Sequence, residues 1–206
     1  MALTGILLAA GRGRRFDPAG KNNKLLQRLP GGELVVAASA RTLLAVFARV
    51  VAVVPPDDGG VGDVLRQLGC EVTVCPQADG GMGLSLAHAI RHCLHARSDA
   101  QLGAQSGDQA RGEGWLVALG DMPFVAPSTL RALEAAVKEG AAIAAPLFAG
   151  RRGNPVAFGA QHRDDLLALD GDQGARRLLA SSPVAAIEVP DPGVLRDIDS
   201  PSDLPA

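Results

Sequence analysis

Leu3-Thr4-Gly5-Ile6-Leu7-Leu8-Ala9-Ala10-Gly11-Arg12-Gly13-Arg14-Arg15 opens as an apolar run and breaks into a loop of glycine and arginine. A short, continuously apolar run belongs to a strand covered on both faces, the situation of an inner strand in a parallel sheet. Outward from it, similar runs return at 50–54, 71–75, 115–120 and 141–148. Between them, 33–48, 61–68, 82–96 and 127–139 carry apolar residues at helical spacing. Pro127 ahead of Ser128 and Thr129 marks a helix start, and Gly140 its stop. The last sixty residues are more mixed: 154–159 and 185–189 read as strands, 162–169 and 173–180 as helices. Strand alternating with helix predicts one α/β domain over 1–206, three-layered and Rossmann-like, with a mostly parallel sheet.

Composition narrows the function. The chain has 206 residues, 47% hydrophobic and 20% charged, which excludes a disordered or fibrous protein. A chain of this size hides roughly 70% of its unfolded surface and needs no staples. Net charge is −2, so no nucleic-acid partner is expected, because that role needs a basic surface. Tyrosine is absent and aromatics are 3%, too few for base-stacking platforms. Cys70, Cys75 and Cys93 form no CxxC, which points to a reduced, cytoplasmic setting. The first apolar run precedes its arginines, the reverse of a signal peptide, and no stretch approaches the ~20 apolar residues of a membrane span.

Two long loops differ in promise. Segment 97–114 is polar, Gly- and Gln-rich and without periodicity, so it reads as a flexible insertion. Segment 12–23 leaves the first strand directly, on the edge where open sheets bind ligands. Its glycines free backbone N–H groups and its arginines add positive charge, which suits polyphosphate; the plainer reading is a solvated basic loop. Phe16 stands where a dinucleotide fingerprint needs its third glycine, and the P-loop spacing to Gly-Lys is missing. Lys21 and Lys24 follow, two of the chain's three lysines. Either is a compact cation for a phosphate whose charge changes during reaction, or an ordinary surface lysine. Asp121, in Gly120-Asp121-Met122-Pro123, follows the central strand and is placed to hold Mg²⁺, or to cap a turn. In Asp197-Ile198-Asp199-Ser200-Pro201-Ser202-Asp203, alternation on a short strand would put the first two carboxylates on one face. A C-terminal turn and cap is the competing reading. His88, His92 and His95 have helical spacing, and solvated or capping roles suit them better than a metal set.

Taken in order, Leu-Ala-Ala-Gly-x-Gly-x-Arg, Lys24-Leu-Leu, Gly120-Asp-Met-Pro, Arg152-Gly-Asn-Pro-Val-Ala-Phe158, Gly171-Asp-Gln-Gly-Ala-Arg176 and Asp197-Ile-Asp-Ser-Pro-x-Asp203 closely resemble the molybdenum cofactor nucleotidyltransferases. The resemblance runs from Leu8 to Asp203. Leu-Ala-Ala-Gly, in place of Leu-Ala-Gly-Gly, is similar to the cytidylyltransferase branch, as is Gly81-Met82-Gly83-Leu84-Ser85-Leu86. It implies a nucleotidyltransferase fold in which Leu8, Ala9, Ala10, Gly11 and Gly13 cradle nucleotide phosphates. Arg15 and Lys24 would neutralise those phosphates, with Lys21 a competitor for the lysine role. Pro76, Gly81 and Ser85 would border base and ribose. Asp121 and Asp199 would hold Mg²⁺. Asn154, Pro155, Asp172, Gly174 and Arg176 would face the molybdopterin substrate. Asn154 stands where many relatives have His, Ser200 replaces a usual Thr, and 97–114 has no counterpart.

The implied reaction moves CMP from CTP to the molybdenum cofactor with release of pyrophosphate, by positioning and electrostatics rather than a covalent intermediate. A molybdenum hydroxylase apo-enzyme would then be a partner. Alternatives are a guanylyltransferase using GTP, a nucleotidyltransferase for another sugar or alcohol phosphate, and a non-catalytic carrier of the cofactor. A nicotinamide oxidoreductase is disfavoured by Phe16 and by the missing acidic residue at the end of the second strand.

Overall fold

In a computed structural model, residues 3–11, 13, 15–19, 22–101, 114–172 and 174–205 are described, with 96–101 described for their backbone. Arg12, Arg14, Lys21, Gln173 and the 102–113 part of the expected insertion lie outside them.

Every predicted strand but one forms, as β1 (Leu3–Leu8), β2 (Val50–Val54), β3 (Glu71–Val74), β4 (Gly114–Leu119), β5 (Ile143–Phe148), β7 (Val156–Phe158) and β8 (Ala185–Glu188). Beside them lies β6, Arg151–Arg152. The order across the sheet is β3-β2-β1-β4-β7-β5-β6, with β8 also on β5. Pairs β1–β2, β1–β4, β2–β3 and β5–β8 are parallel; β4–β7, β5–β7 and β5–β6 are antiparallel. The antiparallel part comes from a two-residue turn, Ala149-Gly150, with φ of 49° and 74°. Positive φ at both central residues suits a hairpin to the strand twist. An alanine there gives no sequence signal, so the reversal was not legible.

Alternation along the strands serves two cores. Leu3, Leu7 and Ala9 join Val50, Ala52, Val54 and Leu116 on one face. Ile6, Leu8 and Ala10 join Val51, Val53, Trp115 and Val117 on the other. The first face is covered by α1 (Val35–Leu44), α2 (Val61–Gln67) and α4 (Pro127–Lys138), through Val36, Leu43, Leu65, Leu130 and Leu133. The second is covered by α3 (Met82–Gln101), α5 (Arg163–Leu167) and α6 (Arg176–Ser181), through Leu86, Ile90, Leu166 and Leu178. This is the expected three-layer α/β arrangement.

Several elements begin or end one to three residues from the expected bounds, and three larger differences have a visible cause. Helix α1 is shorter, because Leu34 bridges to Arg28 before it and the Val46 and Phe47 amides bond back to the Leu43 carbonyl after it. Helix α3 runs five residues into the expected insertion, since no glycine or proline interrupts 97–101. Segment 197–199 forms no strand; the Ile198 amide bonds instead to the Asp121 carbonyl at 2.9 Å. Among the described residues, no helix is long and apolar enough to cross a membrane.

Candidate active site

Strands β2 and β3 lie to one side of β1, and β4 to the other, so the strand order reverses between β1 and β4. Ligands of open α/β sheets bind beyond the strand ends at such a point. A cleft of about 510 Å³ opens there.

Its floor is the end of β1. The Ala9 amide still bonds to Val53, and the Gly120 amide bonds to the Leu8 carbonyl at 2.9 Å. Ser39 Oγ donates to the Gly120 carbonyl at 3.0 Å, so the turn that carries Asp121 is fixed to both β1 and α1. Gly13 makes the backbone turn, with φ of 58°. A Cβ added there would lie 3.4 Å from Lys24 Cγ, an ordinary contact, so it is the positive φ rather than space that favours glycine. Gly11 needs no positive φ. Phe16, which excludes the dinucleotide fingerprint, is buried under the loop as part of the core. Next, Asn23 Oδ1 accepts from the Leu25 amide at 3.0 Å and starts a single 3-10 turn, Lys24–Leu26. That turn delivers Lys24 to the cleft.

Lys24 Nζ lies 2.6 Å from Asp121 Oδ2 and 3.1 Å from Asp199 Oδ1. Burial alone would push the ammonium pKa down; Asp121 and Asp199 outweigh it and hold the pKa above its ordinary value. Arg15 Nη1 reaches Asp199 Oδ2 at 2.6 Å from a side chain that is 81% exposed, so it can swing to a ligand. Asp197 also faces the cleft. Burial, then the neighbouring Asp199 and Asp121 charges, push its pKa up. Among the described residues, Asp121 Oδ1 is buried with no hydrogen-bond partner. A carboxylate oxygen left unpaired in a polar cleft is suited to a cation arriving with substrate. Among the described residues no cluster of three acidic, His or Cys side chains forms a ready metal cage. Mg²⁺ requires none: one or two carboxylates suffice when substrate phosphates and water complete its shell. Asp121 and Asp199 could hold it.

The far wall rests on close backbone approach. The Gly83 amide donates to the Gly171 carbonyl at 2.9 Å. A Cβ at Gly81 or Gly83 would overlap the backbone of 170–172. The start of α3, with Met82 and the buried Ser85, is thereby joined to the loop bearing Asp172. Asn154 and Arg176 also line the cleft.

The cleft thus brings together Leu8, Ala9, Ala10, Gly11, Gly13, Arg15, Lys24, Gly81, Ser85, Asp121, Asn154, Asp172, Arg176 and Asp199. Three sequence candidates lie off its wall. Pro76 is exposed just beyond β3. Pro155 faces a small apolar hollow with Ser39, Thr42 and Leu130. Gly174 packs behind Met82, where an added Cβ would lie 3.3 Å from the sulfur. Sequence reasoning missed Leu25, Ala78, Asp79 and Leu119 as lining residues; apolar or lone acidic residues in turns carry no signal of their own. Of the helix-α3 histidines, His95 is exposed, as expected, while His88 and His92 are partly buried and paired. His88 Nε2 meets Thr73 Oγ1 at 2.9 Å and His92 Nε2 meets Glu71 Oε1 at 2.7 Å, joining α3 to β3.

A cationic glycine loop at the switch point, facing acidic residues across one cleft, defines a phosphate-handling α/β protein of the nucleotidyltransferase kind. The chain belongs to the family described as MobA-like NTP transferase domain, whose model matches residues 5–186. It is similar to the purine catabolism protein PucB of Bacillus subtilis, 30% identical over 98% of this chain and 93% of that protein. Rv0371c of Mycobacterium tuberculosis has a similar structure, with a TM-score of 0.77 and 26% identity over 98% of this chain and 96% of that one. A structure of Rv0371c in complex with manganese gives a TM-score of 0.73 at 27% identity, over 98% and 96% of the two chains. Membership in an NTP transferase family supports nucleotidyl transfer as the activity.

Proposed function

We propose that the protein transfers CMP from CTP to the terminal phosphate of the molybdenum cofactor, molybdopterin, and releases pyrophosphate. The observation that carries this reading is Lys24, a buried ammonium held between Asp121 and Asp199 beside the 8–13 loop. Two anions must meet for this reaction. An acceptor phosphate oxygen forms a bond to the α-phosphorus, the bond from that phosphorus to the bridging oxygen breaks, and the electron pair leaves on pyrophosphate. Lys24 and Arg15 supply the positive charge that the approach and the departure require. The 8–13 loop orients the triphosphate, and Asn154, Asp172 and Arg176 orient the acceptor. Mg²⁺ held by Asp121 and Asp199 would supply further neutralisation of the phosphates. The structure of Rv0371c in complex with manganese supports divalent-cation binding in a protein of similar fold.

The test is pyrophosphate release with each of four nucleoside triphosphates, with and without molybdopterin cofactor and Mg²⁺. Release that needs CTP, acceptor and metal together is expected. Tight cofactor binding without release under any nucleotide would make the protein a carrier. Release that needs a sugar phosphate instead would move the acceptor assignment.

A further inference from the structure

Segment 191–199 crosses the ends of β4 and β5 and delivers Asp199 to the cleft. One buried carboxylate fixes where it lies. Asp191 is 6% exposed. Its Oδ2 accepts from the Ala126 amide at 2.8 Å and from Thr129 Oγ1 at 2.6 Å, and its Oδ1 from the Gly193 amide at 2.9 Å. Helix α4 has no side-chain cap from its own N-cap residue, Ala126. Asp191 takes that place from 65 residues away, with a negative charge where the helix dipole favours one.

Everything between Asp191 and Asp199 is then stitched to the site. A Cβ on Gly193 would overlap the Phe124 carbonyl, and one on Gly153 would overlap the Val194 carbonyl. The Asn154 amide donates to the Val194 carbonyl at 3.0 Å, and the Ile198 amide to the Asp121 carbonyl at 2.9 Å. The Arg196 guanidinium stands 4.1 Å over the Phe124 ring, and Ile198 is fully buried. The segment is therefore clamped on one side to the loop that carries Asp121 and on the other to the turn that carries Asn154. The geometry points to Asp191 as a positioning residue that sets the places of Asp199 and Asn154 in the cleft. Its importance for catalysis rests on the nucleotidyl-transfer reading; its control of the segment does not.

The test compares the full-length wild type with Asp191→Asn, the milder Thr129→Val, and Leu133→Ala. Asp191→Asn puts an amide donor where backbone donors point. Leu133→Ala removes a buried side chain of the same helix and serves as the control for a general loss of stability. Amide hydrogen exchange, Mn²⁺ binding by the protein alone, and melting temperature are measured for each. Asp191→Asn should speed exchange at Asn154 and Ile198 and weaken Mn²⁺ binding about tenfold, the scale of losing an outer partner of a metal ligand. Thr129→Val should do the same to a smaller degree. Leu133→Ala should lower the melting temperature while leaving exchange at both amides and Mn²⁺ affinity as in wild type. The proposal is overturned if Asp191→Asn and Thr129→Val leave exchange at both amides unchanged, or if Leu133→Ala changes it equally. Faster exchange in a protein that neither binds Mn²⁺ nor releases pyrophosphate would keep the positioning role and remove the proposed activity.

Discussion

Lys24 is buried and charged at once, a combination that is stable only because two carboxylates lie within 3.1 Å. Truncating either leaves a buried ammonium with half its compensation. Asp121 is the more consequential partner, since its other oxygen is buried and has no partner among the described residues. Asp121→Ala should lower turnover by ~10²-fold or more, the scale of losing a placed electrostatic group, with the fold intact by circular dichroism. Wild-type-like turnover at saturating Mg²⁺ would refute the role. The choice between Lys21 and Lys24 was not legible in the sequence, because neither spacing nor composition separates them. What brings Lys24 into the cleft is the Asn23 cap and the single turn behind it, a tertiary detail. Ala10 was legible as a lining residue. It lines the cleft together with Ala78, Gly81 and Ser85; on the proposed reading the base lies against its methyl, which would take room that the second ring of a purine needs. Such steric exclusion is worth about 1–3 kcal/mol, so CTP should be preferred over GTP by roughly 10- to 200-fold. Ala10→Gly should narrow that ratio of kcat/KM values. A ratio that does not move would place base selection in the 80–85 segment.

At the scale of elements, strands with strong apolar runs were readable and the connections between them were not. The β5–β6 turn uses an alanine at positive φ, and the 191–199 segment is held by side-chain and backbone bonds from 40 to 77 residues away. Neither leaves a local pattern. The clasp between β3 and α3 is another such case. Glu71 accepts from Arg49 Nε at 2.9 Å and faces His92 Nε2 at 2.7 Å, while Arg49 Nη1 reaches the Cys93 carbonyl at 3.4 Å. The Arg49 hydrogen bond, opposed by burial and assisted by His92, holds the Glu71 pKa below its ordinary value of 4.5. A depressed carboxylate pKa stabilises the fold above the unfolded value, and the contribution is lost as pH falls through the folded value. The Glu71 side chain is 38% exposed, so solvent reduces the pair to the scale of a surface ion pair, up to about 1 kcal/mol. Glu71→Gln should therefore lower the melting temperature at pH 7 by about 2–4 °C or less. The gap should narrow progressively as pH falls below 4.5, and a gap that stays constant down through that range would refute the assignment.

On the scale of the whole molecule, the cleft gathers residues from Leu8 to Asp199, so almost the entire chain must be folded before it exists. Segment 102–113 is set apart by its sequence, which offers no apolar face to bury. Replacing it with a Gly/Ser tract of equal length should move the melting temperature by no more than about 2 °C, the effect of changes within about 0.5 kcal/mol, and leave activity unchanged. A larger loss of either would show that the segment packs or acts. Ligands should have the opposite effect, because a site assembled from both ends of the chain binds only the folded state. CTP with Mg²⁺ at about 100 times its dissociation constant contributes about 2.7 kcal/mol. For a chain of this length that corresponds to a rise of roughly 5–10 °C. Asp121→Ala and Asp199→Ala should each abolish the part of that rise that depends on Mg²⁺, while leaving a smaller rise from contacts of the 8–13 loop with the nucleotide. Thermal scans of the three proteins with CTP in Mg²⁺ or in chelator give the comparison. An equal rise in chelator and in Mg²⁺ would mean that the two aspartates hold Lys24 and no metal.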